Sequence, residues 1–173
     1  MSASPSPSPA PSASARVLRA EPVEFTTRAP VRLVFTARAA APPAAVYEAL
    51  ARDVAGWPGW FSALREARAT DGGAGREVVL RGGVWFAETV LAAEPERRYA
   101  YRVDTTNVPG LSALVEEWRL LPNPRAAGSL VRWTFAADGP PALRRGLLLA
   151  RPGLGLSFRG AVRALDRRLA AGG

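Results

Sequence analysis

A glutamate stands where an apolar side chain is due. In the segment 113–121 the alternation places Leu114, Trp118 and Leu120 on one face of a strand, and Glu116 shares their parity. A carboxylate on an apolar face is costly unless it is hydrogen-bonded or protonated. Antiparallel pairing across the loop 107–110 sets Tyr101 opposite Glu116, from a strand over 97–104 whose apolar set is Tyr99, Tyr101 and Val103. Burial raises a carboxyl pKa toward the range useful in general acid/base catalysis, and a tyrosine hydroxyl beside it orients it or polarises a substrate carbonyl. Glu116 and Tyr101 are therefore the candidate catalytic pair. Pairing across Pro95-Glu96 brings Glu88 to the same face, beside Tyr101 or one residue along; a slip by one turns Trp85, Ala87 and Thr89 inward instead. Two quieter readings stand beside this one: Glu116 pairs with a neighbouring arginine, or it sits at a bulge and faces water.

The rest of the composition narrows the chemistry by absence. The 173 residues contain no Cys and no His, and all 23 basic residues are arginine. Without imidazole or thiol there is no Ser-His-Asp or Cys-His site and no zinc site, which leaves only a hard-cation carboxylate site for metals. Without lysine there is neither a Walker-type phosphate loop nor Schiff-base catalysis. Gly153-Leu154-Gly155 opens like a dinucleotide fingerprint, but Phe158 occupies the third glycine position and no strand precedes it. No metal site and no cofactor is expected. The net charge of +8 invites a nucleic-acid reading, yet the arginines are scattered from Arg16 to Arg168. Ile, Gln and Lys are all missing, which fits a GC-rich codon bias better than phosphate recognition. No specific nucleic-acid partner is expected.

These residues need elements to hold them. Residues 1–15, an uncharged Ser/Pro/Ala repeat, cannot offset their ordering entropy and read as a disordered tail; 16–30 reads as an extended lead-in. The tail lacks the basic start and apolar middle of a secretory signal, and no apolar run is long enough to span a bilayer, so a cytoplasmic location is expected. Val31, Leu33 and Phe35 alternate with polar residues as a first strand. Pro42-Pro43 opens a short helix with Val46, Tyr47 and Leu50, and then the chain turns a corner at Trp57-Pro58-Gly59-Trp60-Phe61. Strand signals follow over 64–70, 76–82, 84–91, 97–104, 113–121 and 129–137, the last with Val131, Trp133 and Phe135 on its dry face. After Gly139-Pro140-Pro141 the pattern turns helical: Leu154, Phe158, Ala161, Val162, Leu165 and Leu169 recur at helical spacing. Leu147-Leu148-Leu149, with Leu154 and Leu156, has two readings: a surface that touches a membrane or a partner, or, the preferred one, a flexible lead-in to that helix. The class is α+β, a curved antiparallel meander wrapping a helix.

The order of these segments, with "APPAAVYEALARDVAGWPGWFSAL", "VLAAEPERRYAYRV" and "GSLVRWTFAA", resembles the START-like (SRPBCC) superfamily, and within it the bacterial polyketide cyclase/dehydrase group, over about residues 31–170. The resemblance implies a START-like helix-grip domain over 31–171: a seven-stranded antiparallel sheet folded around the C-terminal helix, two short helices after the first strand, and a cavity between. It implies a small apolar ligand, lipid- or polyketide-like. Trp57, Trp60 and Phe61 then either contact that ligand or plug one end of the sheet. Phe86, Glu88, Tyr99, Trp118, Trp133 and Phe158 complete the expected ligand-facing set. Some members are enzymes, but no catalytic signature is strict enough to transfer. Three functions follow from the resemblance: a carrier or sensor, a cofactor-independent cyclase or dehydratase using Glu116 and Tyr101, and a protein-interaction or chaperone-like module. A homodimer is compatible with each.

Overall fold

Seven strand segments form a single sheet that curls around one long helix, with the main core between them. The computed structural model describes residues 15–123 and 127–172. Its strands are β1 (Arg16–Val17), β2 (Val31–Ala39), β3 (Leu64–Thr70), β4 (Gly75–Leu80), β5 (Trp85–Glu94), β6 (Arg98–Thr106), β7 (Ala113–Pro122) and β8 (Ser129–Asp138). Seven of them form an antiparallel sheet in the order β2-β8-β7-β6-β5-β4-β3, and β1 pairs with the far end of β6. The strands from β3 to β8 follow one another as a meander, while β2 returns to pair along the whole of β8. The sheet's two edges, β2 and β3, are thus neighbours in sequence. This is the helix-grip architecture, α+β in class.

The segment between those edges carries α2 (Pro43–Tyr47), a π-helical turn (Glu48–Arg52) and a 3-10 turn (Val54–Gly59). Pro43 fits the first turn of α2, where a missing N–H costs nothing. Pro58 lies within the 3-10 turn, which ends at Gly59, and the chain reverses so that Trp57 and Phe61 are both buried. The C-terminal helix α3 runs over Pro141–Ala171 and buries Gly155, Phe158, Ala161, Val162 and Leu165. A Cβ at position 155 would sit 3.0 Å from the Phe35 ring, so a glycine there lets α3 lie directly on β2. The leucines at 147–149, expected as a flexible lead-in, already belong to α3: the helix starts six residues earlier, at Pro141.

Residues 16–30 are less extended than their composition suggests. They contain β1 and one helical turn, α1 (Phe25–Arg28), which buries Phe25 against Ala113, Val115 and Ala136 on the outer face of the sheet. The expected tail 1–15 lies, apart from Ala15, outside the described residues. The expected turn Pro122-Asn123-Pro124 is described only as far as Asn123. Among the described residues no helix is long and apolar enough to cross a membrane.

Candidate functional site

Between the sheet and α3 lies a cavity of about 250 Å³. Its walls are apolar: Trp57, Phe61, Leu64, Val78, Phe86, Leu114, Trp133 and Phe135 from the sheet side, and Leu143, Leu147 and Leu154 from α3. Four polar side chains reach it from inward positions of adjacent strands: Arg76 on β4, Glu88 on β5, Tyr101 on β6 and Glu116 on β7. All four are buried.

The register of β6 against β7 sets Tyr101 opposite Glu116, as the loop between those strands requires. The Tyr101 hydroxyl donates to Glu116 Oε2 at 2.9 Å, and Trp133 Nε1 donates to the same oxygen at 2.9 Å. Trp118 Nε1 in turn donates to the Tyr101 hydroxyl at 3.0 Å, which fixes the direction in which Tyr101 gives its proton. Glu116 Oε1 has no donor among the described residues. Burial pushes the Glu116 carboxyl above the ordinary carboxylate range, and the Arg76 charge with the two hydrogen bonds offsets only part of the rise. Burial and the neighbouring Glu116 raise the Tyr101 hydroxyl well above its usual value, so Tyr101 stays protonated.

Beside this pair stands a buried ion pair between Arg76 and Glu88. Arg76 lies opposite Glu88 in the β4–β5 register, and its Nε donates to Glu88 Oε2. The two side chains are 2% and 1% exposed. The guanidinium lies over Tyr101, 3.6 Å from the ring centroid, and over Trp57 at 4.2 Å. Cation–π attraction of this kind strengthens when the cation is desolvated. Arg76 Nη1 is nevertheless buried without a hydrogen-bond partner. Few buried polar groups stay unpaired, and the guanidinium here has donor capacity to spare. Burial alone would lower the Arg76 pKa, but Glu88 and the two tyrosines outweigh it, so the group stays a cation. Burial pushes Glu88 up to about 7; Arg76 opposes the rise and Glu116 adds to it. Two β-bulges in the β5–β6 pairing, at Ala87/Glu88 and at Val90/Ala92, set the position of Glu88 against Val103.

The residues expected from sequence divide into two groups. Trp57, Phe61, Phe86, Glu88, Tyr101, Glu116 and Trp133 line the cavity. Trp60, Tyr99, Trp118 and Phe158 do not: each is buried, and each packs against another aromatic ring. Trp60 is 2% exposed and lies against Trp57 and Phe61, behind the cavity wall. The aromatic corner is therefore part wall and part packing. The neighbouring-arginine reading of Glu116 is replaced by a different pairing, since Arg76 takes Glu88 and Glu116 takes neutral donors. Arg76, Ser157 and three leucines of α3 also line the cavity, outside the ligand-facing set that the sequence suggests. Arg76 shares its parity with Val78 and Leu80, the same signal that singled out Glu116. Among the described residues, no three acidic side chains converge to hold a cation.

Comparison with known proteins bears on this geometry. The profile of one family, described as polyketide cyclase / dehydrase and lipid transport, matches residues 30–170. Similar solved structures include XoxI from Bacillus cereus, with a TM-score of 0.66 at 16% identity, covering 81% of this chain and 96% of that one. The Zhui aromatase/cyclase from Streptomyces sp. R1128 gives 0.64 at 22% identity, over 82% and 98%. A START superfamily protein from Mycobacterium smegmatis gives 0.61 at 10%, over 81% and 97%. At these identities the structures speak to the fold. No curated protein matches the chain.

Proposed function

The chain belongs to the polyketide cyclase/dehydrase and lipid transport family, and on that premise we propose that it is a cytoplasmic carrier or sensor of a compact, ring-bearing small molecule. Such a ligand is apolar over most of its surface and carries a carbonyl or phenol oxygen at one end. One observation carries this reading: an aromatic and aliphatic cavity with a cation and two carboxyl groups gathered on its sheet side. Ligand pockets join mostly apolar walls to a few convergent polar groups that fix orientation. At about 250 Å³ the cavity is smaller than the roughly 300–1,000 Å³ of most such pockets, which suits a compact ring system better than a full-length lipid. Arg76, with an unpaired buried N–H, meets the ligand oxygen; Trp57, Phe61 and Trp133 meet its rings.

A neutral naphthalene dye bearing a carbonyl tests the proposal. The parent protein should bind it saturably, and Ala63→Phe, which adds a ring at the cavity wall, should reduce affinity at least about tenfold while the dye-free fold survives. Undiminished binding by the Ala63→Phe protein would place the dye elsewhere and sink the reading.

A second reading, a cyclase or dehydratase, is favoured by one specific feature: Glu116 has an oxygen free of protein donors and a pKa raised by burial. Ionised Glu116 would take a proton from a carbon next to a ketone, Arg76 would meet the enolate oxygen, and the carbon would attack a second carbonyl of the same chain. The protonated Glu116 would then return its proton to the new alkoxide. Tyr101 positions Glu116. Under this reading Glu116→Gln still binds the dye but no longer cyclises a poly-β-ketone; unchanged turnover would dismiss it.

A further inference from the structure

The first half of α3 carries a surface that the cavity does not use. Leu149 is 82% exposed, Leu156 62% and Leu148 53%. On the other side of the same helical turns, Leu143, Leu147 and Leu154 line the cavity. Leu149 and Leu156 are seven residues apart, two helical turns, and so stand on one outward stripe. Arg145 precedes Leu149 by one turn and Arg159 follows Leu156 by one turn, while Arg151 lies between them; all three are exposed. From Gly139 to Leu165 the chain has five arginines and no Asp or Glu. Arg144 is paired with Asp138. Among the described residues Arg145, Arg151 and Arg159 have no ion-pair partner.

We propose that this face of α3 docks on an anionic lipid surface, with Leu148, Leu149 and Leu156 entering the acyl boundary and the arginines meeting headgroup phosphates. Amphipathic helices that lie in a bilayer interface have this make-up: protruding apolar side chains flanked by basic ones and free of acid. Arginine stems extend along the apolar surface while their guanidinium heads stay with the headgroups. Charge decides against a second copy of the chain, because a symmetric contact would set arginine against arginine. An acidic protein would satisfy the arginines but would have to supply a pocket for three leucines that project from a convex helix. A fluid acyl boundary takes them as they stand. The position also fits an apolar cargo, since the helix that would rest on the bilayer is the one whose opposite side walls the cavity.

The test is flotation of the full chain with vesicles of phosphatidylcholine alone and of phosphatidylcholine mixed with phosphatidylglycerol. The parent should float with the mixed vesicles and not with the neutral ones, and binding should fall as salt is raised. The double substitution Leu149→Ser, Leu156→Ser should weaken binding at least about tenfold, because interfacial affinity scales with the apolar area inserted. Arg145→Gln with Arg151→Gln should weaken it by a similar factor. All four positions are exposed, so urea midpoints and dye affinity in solution should match the parent. A parent protein that ignores mixed vesicles overturns the proposal. So does a leucine variant that binds them as well as the parent, or retention by an acidic protein with no vesicle binding. Dye binding is measured without vesicles, so failure of the docking surface and failure of the cavity are told apart.

Discussion

Two clusters of arginine and carboxylate occupy opposite faces of the same sheet, and they titrate in opposite directions. Outside, Arg19 bridges Glu21 and Asp138 at 2.7 and 2.8 Å, while Arg28 and Arg144 close the network at 2.7 and 2.8 Å. The Arg19 hydrogen bond is the main cause that holds both Glu21 and Asp138 below the ordinary carboxylate range. Inside, Glu88 has a direct arginine partner as well, yet burial raises it, and burial raises Glu116 too. The difference is solvent. Where water still screens and solvates, a cation stabilises the carboxylate; where it is excluded, the desolvation penalty exceeds what one guanidinium returns. Outer charges of this kind favour folding. The inner ones oppose it, as expected of groups placed for a ligand rather than for stability.

Breaking the inner pair should have the largest effect. Arg76→Met leaves Glu88 buried without its cation, and loss of one partner of a buried pair costs about 3–5 kcal/mol. Adding Glu88→Gln removes the orphaned charge and should restore a large part of that loss. Urea midpoints of the single and double variants measure both. A single variant as stable as the parent would mean that the inner pair is no more costly to break than the outer one, and the contrast would fall.

The aromatic corner shows what could be read from sequence and what could not. Parity and a loop of known length are enough to set Tyr101 opposite Glu116, and strand-forming composition bounded by turn residues marks the seven main strands. The same rule applied to Arg76, in step with Val78 and Leu80, points inward; in a chain with 23 arginines the residue type suggests surface, and the aromatic cage that holds it comes from other strands. The helical turn at Phe25–Arg28 is too short to show a period. Parity gives the face of a side chain, not whether its neighbour is empty space or another ring. Trp60, Tyr99, Trp118 and Phe158 therefore read as ligand contacts although they pack on aromatic neighbours. Trp60→Ala and Trp133→Ala should each destabilise by about 3 kcal/mol, because both indoles are buried. Dye affinity per folded molecule should then be unchanged for Trp60→Ala and reduced for Trp133→Ala. A Trp60→Ala protein that folds normally but loses the dye would return Trp60 to the cavity.

A pH series sharpens the contrast without changing a core side chain's size. Glu88 is raised from 4.5 to about 7, so its contribution to stability is present in full below the unfolded value and is lost as pH rises through the folded one. Glu116 moves in the same direction. Stability should fall between about pH 4.5 and 7, by something on the order of 3 kcal/mol, and Glu88→Gln should flatten that slope. The outer groups have the opposite sign: Glu21 and Asp138, lowered when folded, contribute above their unfolded values and lose that contribution as pH falls through their folded ones. Urea midpoints measured from acid to neutral pH should therefore pass through a maximum. A parent protein whose stability only rises toward neutral pH would show that the inner carboxyls are ionised at little cost.

The smallest effect should come from the outer network, although it has more ion pairs than the inner one. Arg19→Met removes the bridge between Glu21 and Asp138, but Arg19 is 52% exposed and water takes over the solvation of both carboxylates. Arg28 remains on Glu21, and Arg144 and the Gly139 N–H remain on Asp138. Exposed pairs contribute between nothing and about 1 kcal/mol, so the loss at neutral pH should stay under about 1 kcal/mol and shrink further in high salt. The salt arm separates the two clusters: Arg76→Met should lose the same stability at low and high ionic strength, because no ions reach a guanidinium that is 2% exposed. If Arg19→Met costs as much as Arg76→Met, and the cost persists in salt, solvent access is not what distinguishes the two faces of the sheet.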